Sequence, residues 1–326
     1  MLHEMANIKQ VAQYAGVSPS CVSKYLRDEN SVREENRERI KRAIAALNYV
    51  PSNIARSLRQ GKSMTVKAIM PSITLPFFAE IFEYLRVPLH SAGYNLILQT
   101  IPPNGKFTPH DFLLADGVII SFPDQHDLIC QLAGLLQTLG KPLVAMHENS
   151  PIEGIGSVIV DIRDGMSKAA LYMKNNGRKS IAYVGGSEDS GTSRERFCGY
   201  MGVVPPKMRY GVFRRDFSME WGYTAAGNML DSGVIPDGIL CENDGIAAGV
   251  IKYMLTHGVS VPDDVWVFGF DDIPLSKMYT PSISSVAIPS KGMSQTAVEI
   301  LLDAMNGGAL QDMQFKCSLM LRKSTR

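Results

Sequence analysis

Apolar residues near the start of the chain recur at helical spacing and predict three short helices. Ile8 and Val11 share one face of the first helix, which Gly16 would end in a left-handed conformation. A second helix begins after Ser18, a good N-cap residue, and a third spans about 34–47. Two short helices joined by a turn that contains glycine form a helix-turn-helix, and the third helix would cover them.

From residue 65 onward, short apolar runs alternate with helical patterns, which is typical of βαβ units and a parallel sheet. A first set of predicted strands comprises residues 66–70, 94–98, 117–121 and 143–146, and a second set comprises 157–160, 180–186, 211–213, 238–241 and 266–270. The pattern predicts two doubly wound lobes with a cleft. Because 102–111 and 202–209 are short for a helix between strands, we expect a lost or shortened helix in each lobe.

Composition places the chain among ordinary globular proteins, with 45% hydrophobic and 20% charged residues in 326. No run approaches the roughly 18 apolar residues that cross a bilayer, and the first ten residues lack a signal pattern. We therefore expect a cytoplasmic protein with no membrane segment. The five cysteines are scattered and form no C-x-x-C pair, which favours reduced thiols over disulfides or a metal site.

Charge is distributed unevenly behind a formal net charge of +1. Residues 1–62 contain 11 Lys and Arg against 6 Asp and Glu, a balance of +5, whereas residues 63–326 contain 22 against 26, a balance of −4. A basic segment on a mildly acidic body is the sign pattern expected when one end of a protein meets a polyanion.

The second predicted helix carries the candidate DNA-reading residues. Its N-terminal half presents Ser18, Pro19, Ser20, Cys21 and Lys24, and this half of a recognition helix reaches base edges in the major groove. Surrounding Arg and Lys side chains would contact phosphates. Any three-helix bundle would show the same helical spacing, so the interpretation rests on these residues and on the basic cluster.

The segment NYVPSNIARSLR, residues 48–59, predicts a further short helix. Pro51 breaks the third helix, Ser52 or Asn53 can cap a new one, and Ala55 and Leu58 lie on one side of it. Judged by composition alone, Leu58 would more often be a packing residue than a ligand contact.

Residues 7–62, from NIKQVAQYAGVSPSCVSKYL to NYVPSNIARSLRQGK, resemble the N-terminus of the lactose/galactose repressor (LacI/GalR) family of bacterial transcription regulators. The resemblance implies that Asn53, Ala55 and Leu58 belong to a hinge helix that pairs with its dimer mate in the minor groove, where Leu58 is the inserted wedge. Lys24 departs from the family, whose members commonly carry Arg there. A lysine offers no bidentate fork, so the family's base preference does not carry over.

The resemblance extends over nearly all of the remaining chain, to the family's two-lobed periplasmic-binding-protein-like α/β core. The expected organisation is a helix-turn-helix domain at 1–50, a hinge helix and linker at 51–62, and an effector-binding and dimerisation core at 63–326.

Ligands of open α/β sheets bind at the carboxyl ends of strands, so polar and aromatic residues after the predicted strands are candidates for effector contacts. These residues are Ser72, Phe77, Phe78, His147, Arg196, Phe217, Asn243 and Asp271. By resemblance, Arg196 matches an effector-binding arginine, Phe217 matches a stacking aromatic, and His147 stands where many relatives have Asp. Planar donors beside an aromatic face suit a sugar, the expected effector.

Each candidate also has a purely structural interpretation. Asp271 could cap the next helix, Arg196 could pair with Glu195 or Glu188, and the two Phe rings could be core. A lone histidine is more often a hydrogen-bonded structural residue than a ligand. The shared position after strands favours a ligand site.

Enzyme signatures are absent: the sequence has no H-E-x-x-H, G-x-S-x-G, phosphate-binding or dinucleotide-binding motif, and its six histidines show no metal spacing. We expect no catalytic activity, cofactor or metal. The prediction is a transcriptional repressor that binds a pseudopalindromic DNA operator as a homodimer under the control of a small-molecule effector. The alternatives are a sugar-binding protein, a sugar-converting α/β enzyme, and a regulator that no longer senses a small molecule.

Overall fold

The computed structural model describes residues 6–49, 62–102, 104–121, 126–148, 151–231 and 233–326. Contacts divide the chain into two compact units, residues 1–63 and residues 64–326, which we call the head and the core.

The described part of the head contains three α-helices, α1 (Ile8–Ala15), α2 (Pro19–Arg27) and α3 (Glu34–Ala46). Helix α1 begins at Asn7, whose side-chain oxygen accepts hydrogen bonds from the backbone N–H groups of Lys9 and Gln10. It ends at Gly16, which has a φ of +64°. This is the left-handed cap that the sequence predicts, and glycine adopts it without steric cost.

The three helices of the head share a small apolar core. Its fully buried side chains come from all three helices: Val11, Ala12, Ala15, Val22, Ile40 and Ala43. Of the two residues that the helical spacing places on one face of the first helix, Val11 is fully buried and Ile8 is partly buried. Leu26, Ile44 and Leu47 are also partly buried against this core.

The core alternates strands and helices over its whole length. In chain order its elements are β1 (Thr65–Met70), α4 (Pro76–Ser91), β2 (Asn95–Thr100), β3 (Gly117–Ser121), α5 (His126–Thr138), β4 (Leu143–Glu148), β5 (Gly156–Asp161), α6 (Ile162–Asn175), β6 (Ile181–Gly185), α7 (Gly191–Val203), β7 (Arg209–Arg214), α8 (Met219–Asp231), β8 (Gly238–Cys241), α9 (Asp244–Thr256), β9 (Trp266–Asp271), α10 (Pro274–Met278), β10 (Ser284–Ala287), α11 (Ser290–Met305), β11 (Asp312–Lys316) and β12 (Ser318–Met320).

These strands form two six-stranded sheets. The first has the order β11-β5-β4-β3-β1-β2, with all neighbours parallel. The second has the order β12-β10-β9-β8-β6-β7, and only its β10–β12 pair is antiparallel. The predicted fold class, a two-lobed α/β core with an N-terminal all-α domain, is confirmed.

One strand was assigned to the wrong lobe. The sequence pattern placed residues 157–160 in the second set, but β5 lies in the first sheet, where Ala145 and Met146 of β4 pair with Ser157 and Val158. The chain enters the second lobe only after Asp161. It returns after β10, because α11 packs on β3, β4 and β5, and it crosses again between β11 and β12.

Among the described residues of each expected short segment, the chain forms a 3-10 turn. In the first lobe the turn is Pro109–Phe112, and in the second it is Pro206–Met208, directly after α7. Two lysines hold the first turn: Lys67 Nζ donates to the carbonyl of Asp111, and Lys141 Nζ donates to the carbonyl of Phe112 at 2.7 Å.

Candidate functional site

The N-terminal half of α2 is accessible to a ligand of the head. Ser18, Pro19, Ser20 and Lys24 are exposed, whereas Cys21 is half-buried against the head's apolar core. Ser18 caps the helix: its Oγ accepts from the backbone N–H of Cys21 at 3.2 Å and lies 2.8 Å from Ser20 Oγ. A capped helix N-terminus that presents hydroxyl groups and an ammonium suits contact with a nucleic acid.

The basic residues on α3 of the head divide into two groups. Arg37 and Arg39 are used inside the head, since Arg37 Nε donates to the carbonyl of Glu29 at 3.1 Å and Arg39 Nη2 donates to that of Gly16 at 3.3 Å. Lys41 and Arg42 are exposed. The predicted hinge residues Asn53, Ala55 and Leu58 lie outside the described residues.

The core contains a cavity of about 490 Å³ at the carboxyl ends of its strands. Its lining comes from the first lobe after β1 and from the second lobe after β6, β7, β8 and β9. Six of the eight predicted effector residues line it: Phe77, Phe78, Arg196, Phe217, Asn243 and Asp271. The strand-end rule therefore brings together residues that are as far apart in sequence as 77 and 271.

Ser72 and His147 do not line the cavity. Ser72 Oγ is 2.8 Å from Oγ1 of Thr74, which does line it. His147 lies next to the Phe77 ring, with their centroids 5.3 Å apart.

Arg196 and Asp271 form an ion pair in the cavity wall. Arg196 Nη2 donates to Asp271 Oδ1 at 2.8 Å, and the exposed fractions of the two side chains are 6% and 11%. Arg196 Nη1 also donates to the carbonyl of Glu242, and its guanidinium lies 3.9 Å from the ring centroid of Phe270. Burial raises the pKa of Asp271, and the adjacent Arg196 opposes this shift.

Asp271 also has an unusual backbone conformation. Its φ is +94° and that of Asp272 is +57°, in a region that side chains other than glycine seldom occupy. Asp272 accepts a hydrogen bond from Arg322 and another from Ser276 Oγ at 3.1 Å. Strained backbone held in place by such contacts is concentrated at ligand sites in proteins.

Asn243 and Phe217 support each other at the second-lobe side of the cavity. Asn243 Oδ1 caps α9 by accepting from the N–H of Ile246 at 2.7 Å, and its Nδ2 donates to the carbonyl of Phe217 at 3.0 Å. The Phe217 ring lies against Gly186, where a Cβ would stand 2.5 Å from a ring atom. Only glycine at 186 allows the ring this position.

Glu242 is a functional neighbour that the sequence pattern did not reveal. It is fully buried and accepts hydrogen bonds from Tyr183 OH at 2.5 Å, Ser193 Oγ at 2.6 Å and the N–H of Gly186 at 2.9 Å. Burial raises its pKa, and these hydrogen bonds limit the rise. Through these three bonds Glu242, which directly follows β8, is joined to β6, to the loop after β6 and to α7. Helix α7 is the helix that carries Arg196.

Thr192 also lines the cavity and was not predicted. It precedes Arg196 by four residues on α7 and so lies on the same face of that helix. This spacing is visible in the sequence and would have identified it.

His147 is buried and neutral. The exposed fraction of His147 is only 3%. Its backbone φ is +67°, and its Nδ1 lies 3.0 Å from Ser121 Oγ. Burial, with a smaller contribution from Arg196, lowers the pKa of His147 to about 3. Among the described residues its Nε2 has no hydrogen-bond partner.

Metal and membrane features are not found in the part of the chain that the structure describes. There, no group of three or more His, Cys, Asp or Glu side chains is arranged to hold a metal ion. No helix in the same residues combines the length and the apolar character needed to cross a bilayer.

Comparison with known proteins gives two family matches. Residues 7–52 match the family described as bacterial regulatory proteins, lacI family, and residues 170–325 match the periplasmic binding protein-like domain. The second match includes Arg196, Phe217, Asn243 and Asp271.

Individual relatives resemble the chain over almost its whole length. The HTH-type transcriptional repressor PurR of Glaesserella parasuis is 30% identical over 309 residues, which cover 92% of this chain and 90% of that protein. The ribose operon repressor of Bacillus subtilis is 30% identical over 335 residues, which cover 99% of both. The fold matches the crystal structure of the lac repressor dimer bound to operator and the anti-inducer ONPF, with a TM-score of 0.86 and 24% identity over 99% of both chains.

Proposed function

The chain belongs to the lacI family of bacterial regulatory proteins, and we propose that it represses transcription by binding a pseudopalindromic operator as a homodimer. The family resemblance predicted from the sequence is confirmed. Members of the family are transcriptional regulators and not enzymes, which removes the sugar-converting enzyme from the alternatives. A cytoplasmic location, as predicted, brings the protein to its DNA.

The observation that carries this proposal is the exposed N-terminal half of α2 in a basic head. Ser18, Ser20 and Lys24 present two hydroxyl groups and one ammonium on one helix end. A major groove admits an α-helix, and hydroxyl and ammonium groups are donors to base-edge acceptors there. The exposed Lys41 and Arg42 offer phosphate contacts that position the helix.

Dimerisation is proposed because one helix-turn-helix covers only half of a symmetric site. The described residues of the core support it with large apolar side chains exposed to solvent, among them Val87 on α4, Ile97 on the edge strand β2, Tyr223 on α8 and Met278 on α10. Met278 is 83% exposed. Burying such side chains against a second copy would be favourable, at about 25 cal/mol per Å² of apolar surface.

The cavity between the lobes is the proposed effector site, and a sugar is the class predicted from the sequence. The ribose operon repressor of Bacillus subtilis carries a sugar in its name. An effector can change operator affinity only by binding one arrangement of the lobes better than another. The cavity and its Arg196–Asp271 pair are present even though each lobe has a 3-10 turn where a helix would usually lie between the strands. Their presence favours a regulator that senses a small molecule.

Selection of binding sites from random DNA duplexes tests the DNA-binding proposal. We expect the full chain to enrich a sequence with approximate two-fold symmetry. Lys24→Ala should weaken the selected site by roughly 1 to 3 kcal/mol and change the preferred base at one position in each half-site. Lys106→Ala, which removes an exposed lysine of the core, is the matched control. Equal losses on selected and random DNA for Lys24→Ala would contradict base reading by this residue.

A further inference from the structure

His147 stands at an irregular point of the first sheet. The register of β4 against β5 shifts between Met146 and Glu148, which leaves His147 as a bulged residue with a φ of +67°. A bulge re-aims one side chain, and histidine is among the few residues other than glycine that are enriched in this left-handed conformation. The backbone therefore fixes the direction of the imidazole ring.

The hydrogen bonds of His147 have a place for one ring proton. Nδ1 lies 3.0 Å from Ser121 Oγ at the end of β3, whereas Nε2 has no partner among the described residues. A charged imidazole carries an N–H on both nitrogens, so a second proton would create a buried donor without an acceptor. The site therefore suits the neutral ring and disfavours the charged one.

The surroundings of His147 come from both lobes. The Phe77 ring of α4 meets the imidazole edge-on, with the two planes 65° apart. Because Phe77 lines the cavity and His147 does not, the imidazole lies one side chain behind the cavity wall. Arg196 of α7 lines the same cavity from the second lobe, and its positive charge opposes a second positive charge on His147.

The other charged groups on the neighbouring elements face elsewhere. Those of α5, β5 and α11, which pack on β4, are exposed: Asp127, Asp161, Lys291, Glu299 and Asp303 are examples, of which the first two and Lys291 and Glu299 are fully on the surface. On α4, Glu80 responds to Lys277, Asp272 and Asp271 of the second lobe. In the described part of the core, the charge that acts on His147 is therefore that of Arg196.

Separation of the two lobes would relieve both restrictions on the imidazole. The chain crosses between the lobes after Asp161, after β10 and between β11 and β12, and domains joined at a few such points move by hinge rotation. Rotation would move Arg196 away from His147 and admit water to the cavity face of Phe77. A charged imidazole would then have water as the acceptor for its second N–H.

We infer that His147 couples proton uptake to separation of the lobes: the neutral ring holds the arrangement described here, and the charged ring favours one in which Arg196 has moved away. The inference concerns the core alone and does not rest on operator binding or on a particular effector. By linkage, a ligand that draws the lobes together expels this proton, so acid weakens its binding.

The size of the effect follows from the two environments of the ring. Burial lowers the pKa of His147 to about 3 in the described arrangement, and the ordinary value is 6.5. Acid therefore acts on the separated arrangement alone over most of this interval. The ratio of separated to described lobes should rise about tenfold between about pH 7.5 and 5.5.

Distances between nitroxide labels, measured by double electron–electron resonance on the full chain, test the inference. The exposed thiols of Cys130 on α5 and Cys198 on α7 place one label in each lobe, whereas Cys241 and Cys317 are buried. Cys21→Ser removes the half-buried thiol of the head, and dilution with unlabelled chain isolates the distance within one chain. We expect the ratio of the long-distance to the short-distance population to rise about tenfold over this pH range.

Variants assign the response to one residue. His147→Asn does not titrate in this range and accepts the positive φ, so its label distances should not change with pH. His147→Gln serves the same purpose if the Asn variant fails to fold. His110→Asn, which removes an exposed histidine of the first lobe, should respond like wild type. Distances that stay constant in wild type, or a change that persists in either variant of His147, would overturn the inference.

Discussion

The head and the core expose their candidate functional side chains to water to very different degrees. In the head, Ser18, Ser20 and Lys24 are exposed on a helix held by a core of small and branched residues. In the core, Arg196 and Asp271 are nearly buried and Glu242 is fully buried. Exposed charges act over a distance and are screened by salt, whereas buried polar groups act through contact and tolerate little change. The same chain therefore uses two kinds of recognition, and each responds to a different perturbation.

Salt gives the largest expected difference between the two units. A protein that neutralises six to ten phosphates loses about a thousandfold or more in DNA affinity between about 50 and 200 mM salt. The buried Arg196–Asp271 pair is screened far less, so ligand binding by the core should change less than about threefold over the same range. Parallel anisotropy and calorimetric titrations would measure both. Equal salt sensitivity of the two reactions would remove the distinction between the units.

Loss of Glu242 gives the next largest effect. Glu242→Leu leaves the hydroxyl groups of Tyr183 and Ser193 and the N–H of Gly186 without their acceptor, and should lower the free energy of unfolding of the core by about 3 kcal/mol. Glu242→Gln keeps an acceptor and should cost about 1 kcal/mol. Urea denaturation followed by near-ultraviolet circular dichroism would report both, with the exposed Glu153→Gln as the control. Equal costs for the Leu and Gln variants would contradict the acceptor role.

Acid should destabilise the core through His147. The folded pKa of about 3 lies below the ordinary value of 6.5, so the unfolded chain binds more protons between these values. His147 therefore lowers stability as pH falls below about 6.5, by about 2 kcal/mol at pH 5. His147→Asn does not titrate there, and asparagine accepts the positive φ of this position. Between pH 7 and pH 5, the difference in unfolding free energy between this variant and the parent should change by about 2 kcal/mol. A constant difference from pH 7 to pH 5 would contradict a neutral buried histidine.

The smallest effect concerns the cap of α1 in the head. Asn7→Ala removes the side-chain acceptor for the N–H groups of Lys9 and Gln10 and should cost about 1 kcal/mol of head stability. Hydrogen exchange of α1 amides measures this local effect within the full chain, and Gln13→Ala, an exposed change inside α1, is the control. Exchange that accelerates equally in both variants would show that the cap has no special role.

Sequence patterns predicted the head better than the core. Gly16, Ser18 and the apolar spacing are local features, and local features determine where short helices begin and end. The core strands 66–70 to 266–270 were also found, because apolar runs between helices are local. Membership of β5 in the first sheet was missed, since pairing of Ala145 with Ser157 is a tertiary relation that no local pattern contains.

The short strands β10 and β11 show the same limit. Residues 312–316 read DMQFK and are mostly exposed, so they lack the apolar run that marks a buried strand. At the cavity, strand-end position located Arg196 and Asp271, which are far apart in sequence. Glu242 was missed because an acidic residue after a strand is usually solvated, and its burial depends on three donors from other elements.

Coupling between the cavity and DNA is tested most directly by titrating a selected operator duplex with the full chain, with and without a saturating concentration of the sugar that stabilises the full chain most in a thermal-shift screen. Wild type should change its operator affinity by about 5- to 150-fold, which corresponds to the 1 to 3 kcal/mol of coupling common in allosteric proteins. Arg196→Met should bind the operator like wild type without the compound and should show no change with it. A wild-type affinity that does not change, or a change that persists in Arg196→Met, would contradict control of DNA binding through this cavity.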